Sequence, residues 1–219
     1  MIVYGRRSSI NVQKVLWTLG ELGKEFKRES VGGTFGGNDA PAYRAMNPNG
    51  LIPVLRDGEV TMFESNAIVR YLAVRYGRGS LLPDEPKALA AAEQWMEWSQ
   101  TTLAPPASVL FMNQVRAPAD KADRKAMADA EARLQTVLAI ADKALAGRAF
   151  FAGDALTIGD IVTGCFRWRL DGLDWKRPPM PNLDRWFAAL KARPAYKRWV
   201  MVPVGRSPAE WAANERALT

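Results

Sequence analysis

The spacing of apolar residues changes period several times along the first third of the chain. Ile2, Val3 and Tyr4 form a short apolar run closed by Gly5, which predicts a strand. From Asn11 to Leu22 the spacing turns helical: Val12, Val15, Leu16, Leu19 and Leu22 recur at three and four residues, and Gly23 follows as a stop. Residues 26–31, FKRESV, alternate loosely and predict a second strand. Strand, helix and strand in that order imply a crossover between parallel strands. GGTFGG (32–37) predicts a loop, APAYRAM a short helix and NPNG a turn. IPVLR and VTMF then predict two strands joined at Asp57-Gly58, a hairpin signal. Ser65–Tyr76 predicts a helix with Ile68, Val69 and Leu72 near one face.

After GRGSLLPDEPK the strand signal disappears. Helices are predicted over Ala88–Leu103, stopped by Ala104-Pro105-Pro106, and over 108–115, 120–146, 157–170, 182–192 and 195–200. The tail SPAEWAANERALT predicts weak helix or disorder. The order βαβ, hairpin, α is a thioredoxin-like arrangement. The expected organisation is therefore an α/β thioredoxin-like domain over 1–79, a linker over 80–87 and an all-α domain over 88–219.

Composition narrows the chemistry. A chain of 219 residues, 48% hydrophobic and 24% charged, has the length and balance of a soluble globular protein. No apolar run reaches the roughly 18–20 residues of a membrane helix, and MIVYGRRSS lacks the pattern of a signal peptide, so a cytoplasmic location without a membrane partner is expected. The single cysteine, Cys165, forbids an internal disulfide. Its apolar helical setting predicts a small core residue. The chain has no histidine, which excludes Ser-His-Asp and Cys-His catalysis and the common zinc sites, so no metal is expected. The net charge of +7 is spread among interleaved acids without a nucleic-acid motif, so no nucleic-acid partner is expected.

Three short stretches can carry chemistry. Pro53 suits the first residue of a strand in either isomer. If the Ile52-Pro53 bond is cis, it leaves the Ile52 N–H and C=O free to pair with an extended peptide. Ser65 reads as the N-cap of the next helix. That helix start, with Glu64 beside it, also suits a ligand bearing a carboxylate and an ammonium on one carbon. In GRRSSIN (5–11), Ser8 and Ser9 either cap the helix or donate to an anion such as a thiolate. Moving a thiol from ~8.5 to ~6.5 takes about 2.7 kcal/mol, and one charge-assisted hydrogen bond supplies roughly 1.5–3 kcal/mol. A fourth stretch, ALTIGDI (155–161), reads as a folding element, with Thr157 and Asp160 spaced as a capping box and Leu156 and Ile161 as its staple.

Taken together, GRRSSINVQKVLWTLGELG, NPNGLIPVL, ESNAIVRYLA, ALTIGDI and the helical second half resemble the glutathione transferases over nearly the whole chain, closest to serine-type bacterial members near the theta and phi classes. The resemblance implies a cis Pro53, with Ile52 pairing with the cysteinyl part of glutathione and Glu64 and Ser65 holding its γ-glutamyl end. Counting back from NVQKV, it places Ser9 at the thiolate, with Asn11 as the fallback donor. Asn38 stands where relatives bind the glycyl carboxylate, but Asp39 beside it opposes that role, and Leu51 replaces a polar residue that relatives often carry. Arg6, Arg7 or Arg44 could compensate. The resemblance implies an electrophile site between the domains, walled by Trp98, Phe111, Met112 and Trp168, and a two-fold homodimer. The expected activity is conjugation of glutathione, as co-substrate, to a hydrophobic electrophile. Glutathione-dependent peroxide reduction or dehalogenation, and a non-catalytic carrier of hydrophobic ligands, are the alternatives.

Overall fold

The computed structural model describes residues 1–218. Strands β1 (Ile2–Tyr4), β2 (Lys27–Glu29), β3 (Val54–Asp57) and β4 (Val60–Phe63) form one sheet in the order β2-β1-β3-β4. β1 and β2 are parallel, with Val3 opposite Arg28. β3 runs antiparallel to both neighbours, with Val3 opposite Leu55 and Leu55 opposite Met62. Helix α1 (Ile10–Glu21) makes the crossover, α2 (Pro41–Arg44) is a single turn and α3 (Ser65–Tyr76) follows the hairpin. This is the thioredoxin-like order expected from the changes of period.

Helix α1 is buried almost all round because two cores claim opposite faces of it. Val12, Val15, Leu16 and Leu19 pack with Val3, Leu55, Ile68 and Leu72. Trp17 faces the other way, into the larger helical core, edge-on to Tyr196 at 4.6 Å. A Cβ on Gly164 would stand 2.8 Å from the Trp17 ring, so the glycine permits this close approach. The N-terminus of α1 is thereby fixed at the boundary between the two halves.

The second half comprises α4 (Pro86–Trp98), α5 (Ala104–Phe111), α6 (Arg124–Ala144), α7 (Ile158–Asp171), α8 (Pro181–Ala192), α9 (Pro194–Trp199) and α10 (Pro208–Ala217). Glu85 caps α4 by accepting from Lys87 N and Ala88 N at 2.9 and 2.7 Å. Asp123 caps α6, whose start therefore lies at Arg124 and not at the expected Asp120. Among the described residues, no helix is long and apolar enough to cross a membrane.

Two further expectations are corrected. Ala104-Pro105-Pro106 does not stop the helix before it. A π-helical segment, Ser99–Leu103, joins α4 directly to α5, and a second, Met112–Arg116, extends α5. Proline lacks an N–H and its ring collides with a carbonyl one turn back, and the wider π turn relieves that collision. The tail is also more ordered than its composition suggests. Ser207 caps α10 through Glu210 N at 3.2 Å, and Trp211 and Glu215, one turn apart, are buried against the rest of the molecule.

The capping box of α7 forms as its spacing implies. Thr157 N donates to Asp160 Oδ2 at 2.9 Å, and the Asp160 carboxylate also accepts from Phe151 N at 3.1 Å and Trp186 Nε1 at 2.9 Å. Cys165 lies fully buried on this helix, and burial pushes its thiol up to about 12.

Candidate active site

The loop before β3 is held by side chains that consume its carbonyls one after another. Asn38 Nδ2 donates to Gly50 O at 2.9 Å, and Tyr43 Oη and Asn47 Nδ2 both donate to Leu51 O at 2.8 Å. Gly50 has φ of 63°, and a Cβ there would lie 3.2 Å from Asn38 O, so the turn needs glycine. The next bond, Ile52-Pro53, is cis. The Ile52 N–H and C=O have no hydrogen-bond partner among the described residues. They form an open peptide edge beside β3.

Ser65 is the first helical residue of α3, and not the cap that its sequence suggested. The cap position belongs to Glu64, whose φ of 68° is rare outside glycine and marks a strained backbone. The N–H groups of Ser65, Asn66 and Ala67 have no partner within the helix, and the positive end of its dipole lies there. Ser65 Oγ donates to Asn11 Oδ1 at 3.2 Å, so the first turns of α1 and α3 meet.

Beneath Ser65 lies Lys14, fully buried, with Nζ 3.4 Å from Ser65 Oγ, 3.2 Å from Asn66 Oδ1 and 3.0 Å from Gln100 Oε1. Burial lowers its pKa to about 8, against a weaker upward pull from Cys165, Glu64 and Glu97. Gln100 sits in the first π-helical segment, so this cluster also joins the two halves.

The adjacent serines at the start of α1 are differently committed. Ser8 is buried, and its hydroxyl donates to Glu215 Oε1 at 2.6 Å. Ser9 occupies the N-cap position, its carbonyl accepts from Gln13 N, and its hydroxyl makes no capping bond. Glu215 reaches back from α10, accepts from Thr34 N at 2.7 Å and pairs with Arg6 Nε at 2.7 Å. Burial works to raise its pKa, but Ser8, Thr34 and Arg6 outweigh burial and hold the carboxyl below its usual range. Arg169, also buried, donates from Nη2 to Ser8 O at 2.7 Å.

The four residues expected to wall an electrophile site are not brought together. Phe111 lies edge-on to Trp211 at 5.0 Å, with the Arg169 guanidinium 4.3 Å from its centroid, beside the Ser8-Ser9 loop. Met112 is 52% exposed at the next position. Trp168 faces elsewhere: it donates to Val202 O at 2.8 Å and packs near Phe187. Successive residues of a helix diverge by ~100°, so Arg169 and Trp168 cannot share a face. Trp98 packs against Trp95 at 4.9 Å, beside the Trp95–Phe151 stack, in the helical core. Asn38, Ile52, Pro53, Glu64, Ser65, Ser9 and Asn11 stand on the loops and helix starts described above. Sequence reasoning missed Lys14, Arg169, Trp211 and Glu215. Only Lys14 gave a signal, as a charge inside an apolar helical run.

Comparison with known proteins follows the same outline. Residues 3–83 match the family model of the glutathione S-transferase N-terminal domain, and residues 96–194 that of the C-terminal domain. The chain is 42% identical to glutathione S-transferase GstB of Escherichia coli strain K12, over 92% of this chain and 98% of that protein. It is 34% identical to glutathione S-transferase 3 of Zea mays, over 96% and 98% of the two chains. Among solved structures, the theta class glutathione S-transferase of Xanthomonas axonopodis pv. citri with glutathione bound superposes with a TM-score of 0.89 at 43% identity, covering 93% of this chain and 98% of that one.

Proposed function

The chain belongs to the glutathione S-transferase family, and on that premise we propose how its own residues bind glutathione and activate it. The observation that carries the assignment is the meeting of the first turns of α1 and α3, with the Ser9 hydroxyl and the α3 N–H groups uncommitted. Glutathione lies extended along the open edge at Ile52, which pairs with its cysteinyl peptide unit. The γ-glutamyl carboxylate sits on the N-terminus of α3, where the Ser65 hydroxyl turns to it from its 3.2 Å bond to Asn11, and its ammonium faces Glu64. The Ser9 hydroxyl donates to the thiolate. Ser8 cannot, because Glu215 holds its proton. Asn11, beside Ser65, supplies a second donor through its Nδ2.

With no histidine in the chain, the thiol loses its proton to solvent and not to an imidazole base. The thiolate then attacks the electrophilic carbon, and the leaving group departs with its electron pair. Catalysis comes from thiolate stabilisation and positioning, without a covalent enzyme intermediate. At the glycyl end, Asp39 pairs with Arg44 at 2.9 Å, which offsets part of its repulsion of a carboxylate there. Of the two features that favoured a carrier, Asp39 is thereby weakened, while Leu51 still stands exposed where relatives often carry a polar residue. By the division proposed here, residues 1–79 hold glutathione and 88–219 supply most of the electrophile site. The protein acts in the cytoplasm as a two-fold dimer, so light scattering should return about twice the 24.2 kDa chain mass.

The test is a glutathione titration followed by tryptophan fluorescence. Wild type binds saturably, and Ser65→Ala binds much more weakly. Ser9→Ala still binds but loses the ultraviolet absorbance of the bound thiolate, and its kcat/KM falls roughly 10–150-fold, the worth of one charge-assisted hydrogen bond. Absence of saturable binding at about millimolar glutathione would overturn the assignment.

A further inference from the structure

Three guanidinium groups converge beside the Ser8-Ser9 loop. Arg169 and Arg116 flank one indole, with their Cζ atoms 4.9 and 5.5 Å from the Trp211 ring centroid. Arg6 approaches from the sheet side: a Cβ on Gly32 would lie 3.2 Å from Arg6 Nη1 and 3.4 Å from Ile52 Cδ1, so this guanidinium borders the cis-proline edge. Among the described residues, Glu215 is the one carboxylate that pairs with any of the three, and it pairs with Arg6. The count is three positive charges to one negative.

The three are not equally free. Arg6 is matched by Glu215, and Arg169 is buried between Phe111 and Trp211 with Nη2 spent on Ser8 O. Arg116, half-buried at the end of the second π-helical segment, makes no ion pair and no side-chain hydrogen bond among the described residues. A guanidinium carries five donors in a rigid fork that matches a carboxylate. Held on an aromatic face beside other cations and partly out of water, it gains more from an anion than an exposed arginine does.

We infer that the electrophile site selects small electrophiles carrying a carboxylate, with the Arg116 guanidinium binding that group beside the Trp211 ring. The inference rests on the transferase reading above and narrows its substrate class. With such a substrate the thiolate forms a C–S bond at the carbon bearing the leaving group, the bond to the leaving group breaks, and that group departs as an anion with the electron pair. The thiol proton has already passed to solvent, and the substrate carboxylate is unchanged.

The test uses iodoacetate and iodoacetamide, which share leaving group and reacting carbon and differ in charge. Iodide release by the full chain is measured for both and divided by the uncatalysed rate with glutathione. Self-alkylation does not interfere, because the single thiol, Cys165, is fully buried. Wild type should accelerate iodoacetate at least tenfold more than iodoacetamide. Arg116→Gln should lower that selectivity ratio at least tenfold, and raising the salt should erode the wild-type ratio. Turnover of both probes with a ratio near one, or an Arg116→Gln ratio equal to that of wild type, overturns the inference and leaves the transferase standing. Acceleration of neither probe, together with failed glutathione binding, overturns both.

Discussion

At the scale of single residues, the site depends on small differences of commitment between neighbours. Ser8 and Ser9 are identical in sequence terms, and only the presence of Glu215 separates a structural hydroxyl from a free one. The motif singled out Ser9, but the reason that the Ser8 hydroxyl is occupied was not legible, because its partner is 207 residues away. Lys14 shows the same limit. Its place on α1 could be read, but its burial could not, since one-face periodicity does not foresee a helix claimed by two cores. Its pKa near 8 has a consequence for stability. Between about 8 and the ordinary 10.5, the unfolded chain binds a proton that the folded chain does not, so stability rises with pH through that window. Below it the full cost is present, on the order of 3 kcal/mol. Lys14→Met should therefore raise the denaturation midpoint near pH 7, and its advantage over wild type should shrink as pH climbs from 8 toward 10. A pH-independent gap between the two would contradict this assignment. The variant should also bind glutathione more weakly, because Ser65 and Asn66 lose a donor.

At the scale of elements, most of the fold was legible because its signals are local. The period changes gave the four strands and α3, and Thr157–Asp160 gave the start of α7. The join from α4 to α5 was not legible. Proline chemistry argues for a stop, and only the geometry of the preceding turn decides whether the ring is accommodated. The α7 box carries more than its motif implies, since Asp160 also receives the Trp186 indole and the Phe151 amide. Asp160→Ala should leave those buried donors unpaired and cost about 3 kcal/mol of unfolding free energy, read as a lower denaturation midpoint. Asp160→Asn, which keeps an acceptor, should cost less. Equal losses would assign the effect to packing and not to the hydrogen bonds.

At the scale of the whole molecule, several polar contacts join the two halves, among them Lys14 with Gln100, Arg70 with Glu93, Arg193 with Glu21, and Glu215 with Arg6, Ser8 and Thr34. Another, Arg28 Nη2 to Leu218 O at 3.1 Å, holds the segment after α10 over β2. The tail was the least legible part of the sequence. It has little apolar patterning, and its order comes from distant partners, Phe111 and Val115 against Trp211 and Arg6, Ser8 and Thr34 against Glu215. Removing one side of a buried ion pair costs about 3–5 kcal/mol. Glu215→Ala should therefore lose on the order of 3 kcal/mol and speed limited proteolysis within 207–218. An unchanged cleavage pattern would show that α10 is held by Trp211 alone.

The bond from Ser8 to Glu215 also sets an order in time. During synthesis the amino-terminal half emerges and folds first, and it already contains the peptide edge at Ile52 and the helix start at Ser65. The carboxylate that occupies Ser8 and balances Arg6 lies 207 residues further along the chain than that serine. Until α10 docks, Ser8 lacks the acceptor that occupies its hydroxyl, so the two serines at the start of α1 become distinct only late in folding.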